Sequence, residues 1–432
     1  MDSSNKANLI NHKWLLCTLA SFLGFLLCLY LKQNYQLRAI LSSSLPFSNL
    51  SSIELPPPSY VAAEPSAAPY SKGQESHTSS PTGSGSEGEK CDIFDGRWVY
   101  DPKAYPLYDW HRCPFLDAQV NCQKNGRPDS GYEHWRWEAR GCQIPRFNGS
   151  HMVERLRGKR VAIIGDSLNR NQWESLSCLL YPSLRPSRVT VRAYGNDMVF
   201  RSMDYNFSLE FFWSPFLVRL EERRDRSTVL KVGELPSSAP KWRGADVMVF
   251  NTGHWWTHTG RMRSWKYFEM NGKLVEEMES SAAFETALST WARWVDRHVD
   301  YTRTTVFFRS FSPEHKRENL HWCYNQTRPM PANETYVQGF PKSISSAIER
   351  TIRRMKTPVR FLNITRLSEY RRDAHTSVYT VRQWKLLTEE ERKQPEAYAD
   401  CSHWCLPGLP DTWNVLLYAS LFGDPSGLPY IF

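Results

Sequence analysis

Apolar positions along the chain fall into three patterns, and each predicts a different element. Residues 14–31 form one uncharged stretch of 18 residues bounded by Lys13 and Lys32. At about 1.5 Å per residue it would span roughly 27 Å, the thickness of a thin secretory-pathway bilayer. The length of the run and the lack of a small-x-small cleavage site favour an uncleaved anchor over a cleaved signal peptide. A second pattern is short and continuous: residues 160–164, 246–250, 304–309 and 359–364 read as buried strands. The third is helical. It covers residues 169–180, the set Phe284, Ala287, Leu288, Trp291 and Val295, residues 343–355, and a last helix capped by Asp411 that carries Trp413, Leu416, Leu417 and Leu421.

Alternation of strands and helices predicts an α/β chain with a parallel sheet covered on both faces. In such sheets, active sites lie beyond the carboxyl ends of the strands. Two stretches break the alternation. Residues 32–90 are rich in Ser, Pro, Gly and Ala without periodicity, which predicts a disordered stem. Residues 91–158 hold Cys91, Cys113, Cys122 and Cys142 among many aromatics, which predicts a loop-rich, disulfide-braced subdomain. The division is therefore a tail (1–13), an anchor (14–31), a stem (32–90), a Cys-rich subdomain (91–158) and a catalytic domain (159–432). No internal repeat is evident.

Composition narrows the setting. The 432 residues carry a formal charge of +9 and a pI near 9.0. That balance suits acidic partners such as an anionic polysaccharide, a membrane surface or nucleic acid. Cys17 and Cys28 lie in the anchor; the other eight cysteines add Cys178, Cys323, Cys401 and Cys405 to the four above. An even set beyond the anchor predicts four disulfides in an oxidising compartment, with 105 pairings open on spacing alone. Metal binding is disfavoured, because no paired C-x-x-C motif with matching histidines occurs. Six N-x-S/T sequons, at Asn49, Asn148, Asn206, Asn325, Asn333 and Asn363, all follow the anchor. The flanking charges do not settle orientation, but cysteines and sequons together predict a type II membrane protein with a lumenal body. Nucleic acid is thereby removed as a partner.

Within that body, Gly165-Asp166-Ser167 follows the first strand and opens a helix. Ser167 at such a turn has an exposed hydroxyl and helix-start N–H groups nearby for an oxyanion. By itself the tripeptide more often marks a helix N-cap. Asp400-Cys401-Ser402-His403, far along the chain, supplies what a serine nucleophile lacks. His403 is the candidate base, with Asp400 to hold its other ring nitrogen. Asn251 follows another strand end and would donate to the oxyanion beside the Ser167 N–H. His254 is a rival base without a carboxylate close in sequence. With 17 tryptophans a carbohydrate groove is plausible, and Trp255, Trp256 and Trp404 are the candidate platforms, although most such residues pack in cores.

Several motifs together resemble the plant trichome birefringence-like family of wall-polysaccharide O-acetyltransferases. They are Cys91-Asp92-Ile93-Phe94-Asp95-Gly96-Arg97-Trp98-Val99, Asn125-Gly126-Arg127-Pro128-Asp129, the run from Gly165 to Leu176, the run from Asn251 to Trp256, and Asp400-Cys401-Ser402-His403-Trp404-Cys405-Leu406-Pro407-Gly408. The resemblance covers the chain from about Cys91 onward. It implies an SGNH-like three-layer α/β/α fold, Golgi residence and a Ser167–His403–Asp400 triad. Acetyl transfer to polysaccharide hydroxyls through an acyl-enzyme would follow, with xylan mildly preferred over pectin or another hemicellulose. The resemblance also implies the disulfides Cys91–Cys142, Cys113–Cys178, Cys122–Cys405 and Cys323–Cys401, and offers Gly195 as the block II oxyanion glycine. No metal and no tightly bound cofactor are expected; an acetyl donor of unknown identity is the co-substrate. An esterase with the same triad, or a wall-polysaccharide binding protein, stays open on sequence alone.

Overall fold

A computed structural model describes residues 91–317, 321–331, 333–334 and 342–423. The tail, anchor, stem and Asn49 lie outside the described residues. Among those described, no helix is long and apolar enough to cross a membrane.

The described chain opens with an antiparallel ribbon of Asp92–Tyr100 (β1) and Trp135–Arg140 (β2). Arg160–Gly165 (β3), Val189–Tyr194 (β4), Asp197–Ser202 (β5) and Phe207–Trp213 (β6) follow. Arg219–Glu222 (β7) and Thr228–Lys231 (β8) leave for a side sheet, and Val247–Phe250 (β9) returns. Tyr267–Met270 (β10) and Lys273–Val275 (β11) complete the side sheet. After Thr305–Arg309 (β12) and Val359–Leu362 (β13) come His375–Ser377 (β14), the hairpin Val381–Arg382 (β15) with Lys385–Leu386 (β16), and Asp400–Trp404 (β17).

The central sheet has seven strands in the order β13-β12-β9-β3-β6-β5-β4. Five run parallel, as expected; β5 and β4 form an antiparallel edge hairpin that the apolar runs did not predict. Their pattern explains the miss. β4 is nowhere buried, so it carries no continuous apolar run. In β3 the two faces are both filled. Ala162 and Ile164 join one core with the helix Ser280–His298, while Val161 and Ile163 join another with Trp173 and Leu176 of the helix Ser167–Leu180.

The chain leaves β3 for β6 on one side and later places β9 on the other. The carboxyl end of β3 is thus a topological switch point, where ligands bind in open α/β sheets. Ser167 sits immediately beyond it. Asn251 and the segment following Arg309 share that rim. The last helix runs Leu409–Phe422 with Gly408 as its cap, so Asp411 lies inside the first turn rather than capping it. Its carboxylate accepts from the Gly408 N–H at 2.8 Å and from the Ser175 hydroxyl at 2.6 Å.

All four disulfides pair as the family resemblance implied: Cys91–Cys142, Cys113–Cys178, Cys122–Cys405 and Cys323–Cys401. The N-terminal subdomain is tied to the C-terminal segment by more than sulfur. The buried Arg127 guanidinium grips Asp129 and donates to the carbonyls of His375 and Asp373 at 2.9 and 2.7 Å. Asn148, Asn206, Asn325, Asn333 and Asn363 are all exposed.

Candidate active site

Strand β3 ends on a glycine because nothing larger fits. A Cβ at Gly165 would stand 2.6 Å from the Asn169 side-chain nitrogen and 2.7 Å from the Asn251 carbonyl oxygen. Asp166 follows in extended conformation and caps the helix, its carboxylate accepting from the Leu168 N–H at 3.0 Å. The cap is therefore Asp166, not Ser167. Ser167 occupies the first helical position, where its hydroxyl is not needed for capping and its N–H has no acceptor within the helix. Asn169 anchors this start by donating to the Ile164 carbonyl at 2.7 Å and accepting from the buried Arg309 at 3.1 Å.

The other half of the site is built on β17. Both Ser402 and His403 donate backbone N–H groups to Asp400 Oδ1 at 3.0 Å, closing the D-x-x-H segment into a tight turn. Asp400 Oδ2 accepts from His403 Nδ1 at 2.7 Å. With that nitrogen protonated, Nε2 is an acceptor and lies 2.8 Å from Ser167 Oγ. The geometry is that of a serine, a base and an orienting carboxylate in hydrogen-bonded sequence. Disulfides flank the turn at Cys401 and Cys405.

Electrostatics follow from burial and pairing. Burial works against ionising Asp400, but the His403 ring and two backbone N–H groups outweigh it and hold the carboxyl well below its usual range. For His403, burial opposes the charged form while Asp400 favours it, and the balance raises the ring's pKa. The His403 and Asp400 side chains remain 17 % and 20 % exposed, so the pair is reachable from solvent.

Behind this turn stand residues that the sequence did not single out. His375 Nδ1 donates to the His403 carbonyl at 3.0 Å, and its ring stacks on Trp404 with centroids 3.6 Å apart. His375 Nε2 lies 2.7 Å from His315 Nδ1, and His315 Nε2 lies 2.8 Å from the Glu369 carbonyl. Burial pushes both rings down, His315 to about 4. Glu314 accepts from the Ser402 hydroxyl at 2.7 Å and faces His254 Nδ1 at 3.1 Å and Lys316 at 2.6 Å. One signal could have found Glu314 and His315. They follow the strand β12, and polar residues just past a buried strand end are what pointed to Ser167 and Asn251.

Other expected residues are placed differently. Asn251 is buried and spends its amide on the Arg309 and Ser310 carbonyls, at 3.0 and 3.3 Å, so it ties two strand ends together and is not aimed as an oxyanion donor. Gly195 lies in the exposed β4–β5 turn at the sheet edge, three strands from β3, and its φ of 63° serves that hairpin. Trp404 is fully buried and donates to Ser312, while Trp256 is buried and donates to Thr252, so neither presents a face to a sugar. Trp255 is only partly buried, packed edge-on against Trp213 and Phe216. His254 does have a carboxylate, Glu314, brought from a distant segment. Its Nε2 meets the Ser312 carbonyl at 2.8 Å, so both ring nitrogens face acceptors and neither is open to a hydroxyl.

Residues 144–420 match the PC-Esterase family, described as a GDSL/SGNH-like acyl-esterase family found in Pmr5 and Cas1p. Residues 89–143 match the PMR5 N-terminal domain. The chain is 42 % identical over 347 residues to a probable xylan O-acetyltransferase 10 of Oryza sativa subsp. japonica, covering 77 % of this chain and 78 % of that protein. It is 42 % identical over 331 residues to trichome birefringence-like protein 36 of Arabidopsis thaliana, covering 76 % and 85 % respectively. Xylan O-acetyltransferase 14 of Oryza sativa subsp. japonica is 39 % identical over 375 residues, covering 79 % of each chain.

Proposed function

The chain belongs to the PC-Esterase family, and from that premise we propose that it is an O-acetyltransferase acting on hydroxyls of plant cell-wall polysaccharide, with xylan the favoured acceptor. The observation that carries the reading is the continuous hydrogen-bonded line from Ser167 through His403 to Asp400, at 2.8 and 2.7 Å.

The chemistry runs in two halves. His403 Nε2 takes the Ser167 proton as Oγ attacks the acetyl carbonyl of the donor, and the donor leaves with that proton. A sugar hydroxyl then attacks the acetyl-serine, gives its proton to His403, and Ser167 recovers it as the acetylated sugar departs. The Ser167 N–H at the helix start supplies oxyanion stabilisation in both halves. The donor is a co-substrate, and no tightly held cofactor enters the scheme. Eight cysteines and six sequons beyond an 18-residue apolar run support a type II Golgi membrane protein with this domain in the lumen.

Water in place of the sugar would make the same residues an esterase, the activity that the family description names. Incubating the protein with unacetylated xylan and an acetyl donor, beside acetylated xylan alone, separates the two. Acetyl gain on the first supports transfer; acetyl release from the second without gain replaces it with hydrolysis. Ser167→Ala should abolish either activity with the fold intact, and retained turnover in that variant removes the nucleophile assignment.

A further inference from the structure

The hairpin β15–β16 carries the most exposed large apolar side chain described, Trp384, at 85 %. Val381 pairs with Leu386 and Arg382 with Lys385, which leaves Gln383 and Trp384 as a two-residue loop. Their φ values are 49° and 66°. A two-residue hairpin of this hand asks for positive φ at both positions and is ordinarily met by Asn-Gly or Asp-Gly. Gln and Trp carry a Cβ into that region and pay its steric penalty, which Gly would not. Trp384 gains nothing from packing in return. A strained, unpacked tryptophan points to a surface contact rather than to folding.

The hairpin's position says what the contact serves. It lies between β14 and β17, the two strands that pair to form the ribbon bearing Asp400 and His403. Directly before it, the buried Thr380 hydroxyl donates to the Gln119 carbonyl at 2.9 Å, and the Gln119 side chain lies against the His403 ring. Trp384 is four residue steps on from Thr380, a reach of at most about 14 Å. Beside the loop, Arg382 donates to the Ala397 carbonyl at 3.1 Å and stacks over Tyr398 at 5.2 Å. Arg382 and Lys385 flank the loop, and both are exposed.

We propose that Trp384, flanked by Arg382 and Lys385, is a remote subsite for the acceptor polysaccharide: the indole face stacks on a sugar ring and the two cations favour uronic acid substituents. This rests on the acetyltransferase reading for the identity of the chain that binds. The subsite holds a long acceptor a few sugar units from the reacting hydroxyl. It therefore contributes to recognition of the polymer and not to the chemistry of the triad.

The test uses the full chain with Trp384→Gly, which removes the side chain and relieves the positive φ, so folding is not at risk. With glucuronoxylan as acceptor, KM should rise about three- to tenfold, the change falling in KM and not in kcat. With a short xylo-oligosaccharide, KM should change by less than about twofold. Arg382→Gln with Lys385→Gln should weaken glucuronoxylan more than the same polymer stripped of its uronic acids. Should wild type transfer no acetyl at all, equilibrium binding of unacetylated glucuronoxylan is measured instead, so failure of the transferase reading and failure of the subsite remain distinct. An unchanged KM or affinity for the polymer in Trp384→Gly overturns the proposal. So does an equal loss on the short acceptor, or loss only of binding to vesicles of anionic phospholipid.

Discussion

His403 can accept a proton only while its ring is neutral, and Asp400 makes neutrality harder to keep. Burial lowers the ring's pKa, the charge and hydrogen bond of Asp400 raise it, and the net shift is upward. The active form is therefore lost as pH falls through a value above the ordinary imidazole pKa of about 6.5. The acid limb of kcat/KM should titrate there; a limb below about 6 would contradict the coupling. Asp400→Asn should shift that limb downward and lower kcat about a thousandfold or more, with little change in KM. Steady-state kinetics on the folded variant check both. At this scale the sequence was readable only where chemistry is local. Asp400 and His403 lie in one turn, so their spacing showed the pair. Glu314 and His254 are 60 residues apart, and spacing could not show that one faces the other.

The β14–β17 ribbon owes its rigidity to covalent and polar ties on either side of His403. Cys323–Cys401 and Cys122–Cys405 close loops with sequence separations of 78 and 283 residues. In the chain-entropy account each bridge stabilises by about 4 to 6 kcal/mol. Replacing Cys323 and Cys401 together by serine should lower Tm. It should also reduce kcat well below the temperature of unfolding, because Asp400 and His403 depend on that turn. A thermal melt beside a kcat measurement at low temperature checks this, and a variant with lowered Tm but wild-type kcat would show that the bridge acts on stability alone. Several elements with a buried face were legible from the pattern: β3, β9, β12 and β13 begin and end within two residues of the predicted runs, and the predicted set Phe284 to Val295 lies inside the helix Ser280–His298, whereas the buried β6 was missed. The edge strand β4 was not, because it has no buried position and so no apolar run to announce it.

Across the whole molecule, buried ionisable groups set how stability responds to pH. Burial raises the pKa of Glu133, Glu174, Glu369 and Asp411 to about 7 each. Between about pH 4.5 and 7 the unfolded chain ionises these carboxyls while the folded chain keeps their protons, so their stabilisation is lost as pH rises. His403, raised by Asp400, acts in the same direction. His315, His375 and His258, lowered by burial, act in the opposite direction, gaining stability as pH rises toward the ordinary imidazole value of about 6.5. The carboxyls outnumber them and are shifted strongly, so Tm should be higher at about pH 5.5 than at about pH 8. Differential scanning calorimetry across that range checks the sign, and a Tm that rises with pH would refute it.

Sequence by itself determined the α/β class, four of the buried strands and the main helices, the eight-cysteine body and the two segments that carry Ser167, Asp400 and His403. Each of these is encoded by neighbours in the chain or by periodic burial, which a one-dimensional pattern records. Tertiary structure alone decided which side chains were left over for chemistry. Asn251 was consumed by strand-end carbonyls, Trp256 and Trp404 by the core, and Gly195 by a distant hairpin, while Trp384 was left in solvent. A side chain's role depends on which partners satisfy it first, and those partners are brought together only when the sheet closes.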